Sequence, residues 1–157
     1  MTPPYAVSSS EFFPVEPAIA FDTLVDAPLE DLFVDRVGPI PPVQRCDGQD
    51  GAWGTAGQSR KVVLADGSSN LETLVATDRP HDYRYRLTDF TGPFSWLVAA
   101  VDGRFTFVPE SAGTRATWSW SIHPRNAAAR LLLPVVGIFW RRMAQRMWPR
   151  FGVRLAT

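Results

Sequence analysis

The side chains of this sequence that could do chemistry are aromatic before they are ionic: 6 Trp, 10 Phe and 3 Tyr stand among 157 residues. In the run ATWSWSI, Ala116, Trp118, Trp120 and Ile122 fall on one face of a strand, and Thr117, Ser119 and Ser121 on the other, because strand side chains alternate. The same alternation aligns Phe105 with Phe107, Tyr83 with Tyr85 and Leu87, and Val62 with Leu64. Leu71, Thr73 and Val75 are assigned to this inner face because the opposite parity would turn Glu72 away from water. Phe139, Met143 and Met147 recur at helical spacing and face the same interior, the thioethers adding flexible, polarizable contacts. An apolar wall with few polar anchors is the chemistry of small-molecule burial. The hydroxyls of Tyr83 and Tyr85 are the anchors it offers.

The sets that break bonds are missing or incomplete. The 2 histidines, His81 and His123, sit beside prolines at strand ends with no His/Asp/Glu cluster at metal-ligand spacing, so no metal and no cofactor are expected. The single cysteine, Cys46, has no sequence partner that would activate it, and no G-x-S-x-G elbow occurs. The glycines around Trp53 in DGAWGTAG lack the strand and helix context of a phosphate loop. Glu72, Asp89 and Asp102 could move a proton only if burial raised a pKa. Arg60, Arg84, Arg86 and Arg104 read as exposed-face residues.

The elements that position these groups follow from period and punctuation. Residues 1–17 read as a flexible leader and 18–157 as one domain, beginning with a strand over 18–25. A helix over 28–37 follows, with Pro28 at its start, acids in its first turn and Gly38 at its end. Strands are expected at 43–46, 57–64, 69–77, 81–88, 97–109 and 113–123. Asp66-Gly67 predicts a type I′ hairpin turn, and Asp102-Gly103 a bulge within one long bent strand. Leu132, Val136, Phe139, Met143, Met147 and Phe151 then mark a long amphipathic C-terminal helix whose regular middle Pro134 and Pro149 limit to 135–148. Strands rich in hairpin signals, closed by a terminal helix, indicate an α+β fold with a curved antiparallel seven-stranded sheet around that helix.

Charge argues against polyanion binding over the whole chain, since 16 basic residues balance 16 acidic ones. No nucleic-acid partner is expected. The balance is uneven, however: residues 125–157 hold 7 arginines and no acid. A basic amphipathic helix of this kind could touch an anionic membrane surface transiently, or could pair its arginines with acids of neighbouring elements. The longest apolar run, LLLPVVGIFW, is 10 residues long, short of the roughly 20 that span a bilayer. A lone cysteine is in keeping with a cytoplasmic location.

In order along the chain, Asp26-Ala27-Pro28-Leu29-Glu30-Asp31-Leu32-Phe33, Val62-Val63-Leu64-Ala65-Asp66-Gly67, Tyr83-Arg84-Tyr85-Arg86-Leu87-Thr88-Asp89, Gly103-Arg104-Phe105-Thr106-Phe107-Val108-Pro109 and Gly113-Thr114-Arg115-Ala116-Thr117-Trp118 resemble segments of the SRPBCC superfamily. That superfamily includes START-like lipid carriers, birch-pollen-allergen-like proteins and polyketide cyclase or dehydratase-like proteins. The resemblance runs from about Ala18 to Leu155. It implies a helix-grip fold with an apolar cavity between sheet and terminal helix, in keeping with the one or two short helices read after the first strand, at 28–37 and around 40–42. A site location is implied by it, and no reaction.

Three readings follow. The first is a binder or carrier of a small hydrophobic molecule, such as a lipid, a sterol-like compound or an aromatic polyketide, acting as monomer or homodimer. The second is a polyketide cyclase or dehydratase-type enzyme in the same cavity, which requires a cavity-facing ionisable group with a strongly shifted pKa. The third is an interaction module with a filled core and an exposed apolar patch, for which a solvent-facing Trp96 or Phe94 would speak.

Overall fold

The computed structural model describes residues 2–157. Seven strands form one antiparallel sheet: β1 (Tyr5–Phe13), β2 (Val43–Asp47), β3 (Ser59–Leu64), β4 (Ser69–Asp78), β5 (Asp82–Thr88), β6 (Val98–Glu110) and β7 (Gly113–Pro124), in the spatial order β1-β7-β6-β5-β4-β3-β2. The helices are α1 (Pro17–Asp26), α2 (Leu29–Leu32), α3 (Ala127–Arg130) and α4 (Leu133–Leu155), and a short 3-10 turn spans Pro93–Trp96. The α+β, seven-stranded architecture expected from the sequence is therefore present, with the terminal helix in the grip of the sheet. Its first strand is a different segment.

Residues 5–13 form β1 where a flexible leader was expected, and Ala18–Val25 is helical where a strand was expected. Three consecutive serines hide the strand in the sequence, but Val7 and Phe13 are buried and the whole segment pairs with β7, from Tyr5 opposite Ile122 to Phe13 opposite Thr114. Ser9 has its own use, accepting a hydrogen bond from Trp148 Nε1 at 2.9 Å. In α1, Pro17 lies in the first turn and Ala20, Phe21 and Leu24 are the buried face. That is helical spacing, and a proline at the start suits a helix whose first N–H groups have no partner.

Other boundaries move for local reasons. The helix expected over 28–37 is the single turn α2, after which Val37 and Ile40 exchange backbone bonds around Gly38. The Asp66-Gly67 hairpin is present, but only Gly67 has positive φ, so the turn is not type I′. Asp102 and Gly103 lie in regular register within β6, and its irregularity sits at Val98/Ala100 instead. Helix α4 is continuous through Pro149, while Pro134 occupies its first turn, where a missing donor costs nothing.

The buried face of α4 is Leu133, Val136, Gly137, Trp140, Ala144, Met147, Trp148 and Phe151. It is rotated from the expected stripe, so that Leu132 is exposed and Phe139 and Met143 lie on the flank of the helix–sheet contact. The helix lies close to the sheet at Gly137, where an added Cβ would come within 3.0 Å of Tyr5 and 3.1 Å of Val7. A helix that close at one end of a curved sheet leaves space at the other.

Candidate functional site

That space is a cavity of about 430 Å³ between the concave face of the sheet, α2 with the loop that follows it, and one flank of α4. The expected inner face supplies most of the wall. Val62 and Leu64 line it from β3, Tyr83, Tyr85 and Leu87 from β5, Phe105 from β6, Trp118 and Trp120 from β7, and Phe139 and Met143 from α4. Two expected members, Phe107 and Met147, are 1% exposed and lie in the solid core away from the cavity.

The parity assigned to β4 is corrected. Glu72 and Leu74 are buried and turned inward, whereas Leu71 and Thr73 are half-buried on the other side and Val75 is 53% exposed. Glu72 can face inward because Arg60, its register partner on β3, does too: Arg60 Nε donates to Glu72 Oε1 at 2.6 Å. Arg60 is thus not on the exposed face. Its position two residues before Val62, and its place opposite Glu72 across the Asp66-Gly67 hairpin, were the signals available in the sequence.

Trp53, which the sequence left without a role, covers this pair. The Arg60 guanidinium lies 3.9 Å from the Trp53 ring centroid, and Gln49 Oε1 accepts from Arg60 Nη1 at 3.2 Å. Burial raises the Glu72 carboxyl above its ordinary value, against the pull of the adjacent Arg60 charge. Cys46 is also pushed up, to about 11, chiefly by burial, so its thiol is not an activated nucleophile.

Indoles hold the two tyrosines. Trp53 Nε1 donates to the Tyr83 hydroxyl at 2.7 Å. Tyr85 accepts from both Trp118 Nε1 at 2.7 Å and Trp120 Nε1 at 2.8 Å. Strand register explains the reach: Tyr85, Gly103 and Trp120 lie side by side on β5, β6 and β7, and the glycine between leaves the phenol free to lean across. Burial raises both phenols far above their ordinary values, so both stay protonated. Phe105 stacks on Trp118, with ring centroids 5.4 Å apart and planes 2° from parallel, and Trp118 meets Trp140 at 4.7 Å.

Residues outside the strands line the cavity too. Phe33, Phe90, Phe94 and Leu97 line it, and Gly38, at φ +56°, sits where an added Cβ would come within 2.3 Å of the Phe139 ring. Asn70 also lines it, its Oδ1 buried without a partner among the described residues. The remaining candidate acids and bases lie elsewhere: His123 Nε2 and Asp102 Oδ2 are 2.7 Å apart, with Arg86 Nη1 2.7 Å from Asp102 Oδ1, on the convex side. His81 is exposed. Among the described residues no three His, Cys, Asp or Glu stand together as metal ligands.

Next in sequence to the lining residues Leu97 and Leu132, Trp96 is 74% and Leu131 79% exposed. Of the C-terminal arginines, Arg150 pairs with Asp35 at 3.1 Å and Arg154 with Asp31 at 3.3 Å. Arg141, Arg142 and Arg146 make no ion pair among the described residues. Among the described residues no helix is long and apolar enough to cross a membrane.

The family model described as polyketide cyclase / dehydrase and lipid transport matches residues 5–155. No curated protein sequence matches the chain. Among solved structures, Ara h 8.0201 is similar with a TM-score of 0.67 and 20% identity, covering 98% of each chain. TTHA0849 from Thermus thermophilus gives a TM-score of 0.66 and 18% identity, covering 97% of each chain. DynU16, from the dynemicin biosynthetic locus, gives 0.64 and 15%, over 97% of this chain and 47% of its own.

Proposed function

Because the chain belongs to the polyketide cyclase, dehydrase and lipid transport family, we propose that it binds a small hydrophobic molecule in the cavity between the sheet and α4. The observation that carries this reading is the hollow itself: about 430 Å³ walled by Val62, Leu87, Phe105, Trp118, Phe139 and Met143, within the roughly 300–1,000 Å³ of small-molecule sites. Burial of ligand surface, at about 25 cal/mol per Å² of apolar area, supplies the affinity. The polar groups set orientation.

A carrier must load and unload, and the rim supports contact with an anionic membrane surface during that step. Trp96, at the end of the 3-10 turn, and Leu131, just before α4, are exposed there, and Arg141, Arg142 and Arg146, which make no ion pair among the described residues, lie along α4. Apolar insertion combined with arginine attraction is how interfacial helices bind. The exposed Trp96 would equally suit an interaction module, but that reading requires a filled core.

One observation favours a cyclase or dehydratase-type enzyme as the second reading: Glu72 is a cavity-facing carboxyl that burial pushes up against the pull of Arg60, and a general acid or base in this cavity has to be an ionisable group that faces it. Native mass spectrometry of protein from its own host, followed by extraction of whatever co-purifies, tests the first reading. A stoichiometric apolar molecule, recovered unchanged after incubation, is the expected result. Conversion of that molecule would move the enzyme reading ahead. An empty protein whose melting temperature no fatty acid, sterol or polyketide raises would remove the binding reading.

A further inference from the structure

A phenolic oxygen has places for two donors and gives one proton. At Tyr85 both acceptor places are taken, by Trp118 Nε1 at 2.7 Å and Trp120 Nε1 at 2.8 Å, and indole N–H groups can only donate. The Tyr85 proton meets no acceptor among the described residues, although the side chain is buried and lines the cavity. An O–H in an apolar wall is costly unless something accepts from it.

We infer that Tyr85 is a donor-only hydroxyl, fixed in that role by two tryptophans, and that it selects ligands whose buried end carries an uncharged carbonyl oxygen. This rests on the cavity being a hydrophobic binding site. A hydroxyl end would have to give its own proton to another acceptor of the wall, such as Asn70 Oδ1, because no lone pair is left on Tyr85. A carboxylate end is disfavoured because Glu72 lies in the same wall and Arg60 is already engaged by Glu72, Gln49 and the Trp53 face. The parallel rings of Phe105 and Trp118 beside it suit a flat, conjugated carbonyl compound.

The experiment compares matched probes that differ in the carbonyl: 9-fluorenone against fluorene, and benzophenone against diphenylmethane, with affinities from quenching of the tryptophan fluorescence. The ketone is expected to bind about 5–10-fold more tightly than its hydrocarbon, the worth of one neutral hydrogen bond, and its C=O stretch to move to lower frequency in the complex. Tyr85→Phe is expected to erase both the preference and the frequency shift while hydrocarbon affinity persists. Hydrocarbon binding by the variant also reports that the cavity is intact, and Tyr83→Phe should retain the preference. Equal binding of ketone and hydrocarbon with an unshifted C=O band would overturn the assignment and leave hydrophobic binding standing. Loss of the preference in Tyr83→Phe instead would move the donor to Tyr83. Failure of all four probes to bind would overturn the hydrophobic-binding reading itself, and this inference with it.

Discussion

The ring of Tyr85 occupies the space that a side chain at position 103 would need: a Cβ on Gly103 would stand 2.1 Å from Tyr85 Cζ and 2.4 Å from Cε2. The two residues are register partners on β5 and β6, and Trp120 is the partner of Gly103 on β7. A missing side chain in the middle strand thus permits a hydrogen bond between side chains of the strands on either side of it.

Gly103→Ala should therefore behave as an overpacking mutation at the site. It is expected to cost about 1–3 kcal/mol and to change the near-ultraviolet circular dichroism of the tryptophans as Tyr85 is pushed from Trp118 and Trp120. Urea unfolding and the spectrum check this. An alanine variant of wild-type stability with an unchanged spectrum would show that the ring is not seated there.

The Arg60–Glu72 pair should show strong non-additivity. Glu72→Leu alone leaves the Arg60 guanidinium, 6% exposed, without the oxygen that accepts from its Nε and is expected to cost about 3–5 kcal/mol. Arg60→Met combined with Glu72→Leu should come out near neutral, or more stable by about 1–4 kcal/mol, since two charges no longer have to be desolvated. A double variant as unstable as the sum of the single ones would mean that the two side chains are not coupled.

The pH dependence of stability should contain two opposite slopes. Glu72, raised by burial, holds its proton in the folded state above the ordinary glutamate value of about 4.3. Its contribution is fully present below that value and is lost as pH rises through the higher folded one. Asp82 is the reverse case: burial works against its carboxylate, but Arg104 and Arg84 hold it below the usual range. Its contribution is present above about pH 4 and lost as pH falls through the folded value. The stability of the wild type relative to Glu72→Gln should decline as pH is raised from about 4, near the ordinary glutamate value, towards neutrality. A flat difference in urea titrations would remove the raised Glu72 value.

Parity along β4 can be tested by two substitutions. Leu74, 0% exposed, should cost about 2–5 kcal/mol when replaced by Ala. Val75, 53% exposed, should stay within about 0.5 kcal/mol of wild type as Val75→Ser. The reverse order would restore the parity read from the sequence.

Contact with a membrane surface should depend on charge and on the rim. The protein is expected to co-sediment with vesicles containing phosphatidylserine and not with phosphatidylcholine vesicles, less so at high salt. Trp96→Ser together with Leu131→Ser should weaken that association several-fold without loss of stability, since both residues are exposed. Equal sedimentation of the double variant would remove the rim from the reading.

The alternating strands were legible because both faces announced themselves: Tyr83, Tyr85 and Leu87 inside, Arg84 and Arg86 outside. The cavity wall on β5, β6 and β7 followed from that alternation. β4 misled because a glutamate was read as a solvent-facing residue, and the arginine that neutralises it lies 12 residues away, outside the reach of a period count. β1 was obscured for the opposite reason. Its serines carry little hydrophobic signal, and its strand character comes from pairing with β7 at the far end of the chain, as in Ser10 with Thr117, 107 residues apart. The loop residues Trp53, Phe90 and Phe94 belong to the site through tertiary placement, which no local pattern encodes.

The same distant pairing has a consequence for synthesis on the ribosome. At about 5–20 residues per second, β1 emerges several seconds or more before any part of β7 exists. Through that interval Val7 and Phe13 have neither their strand partner nor α4, which covers them only from Leu133 onward. The serines that blur β1 in the sequence are what keeps such a waiting segment from being a continuous apolar strand, and Pro14 directly after it interrupts further β-pairing with other nascent chains. A polar interior to this strand is thus compatible with its late docking, and a more hydrophobic β1 would trade yield during translation for stability after it.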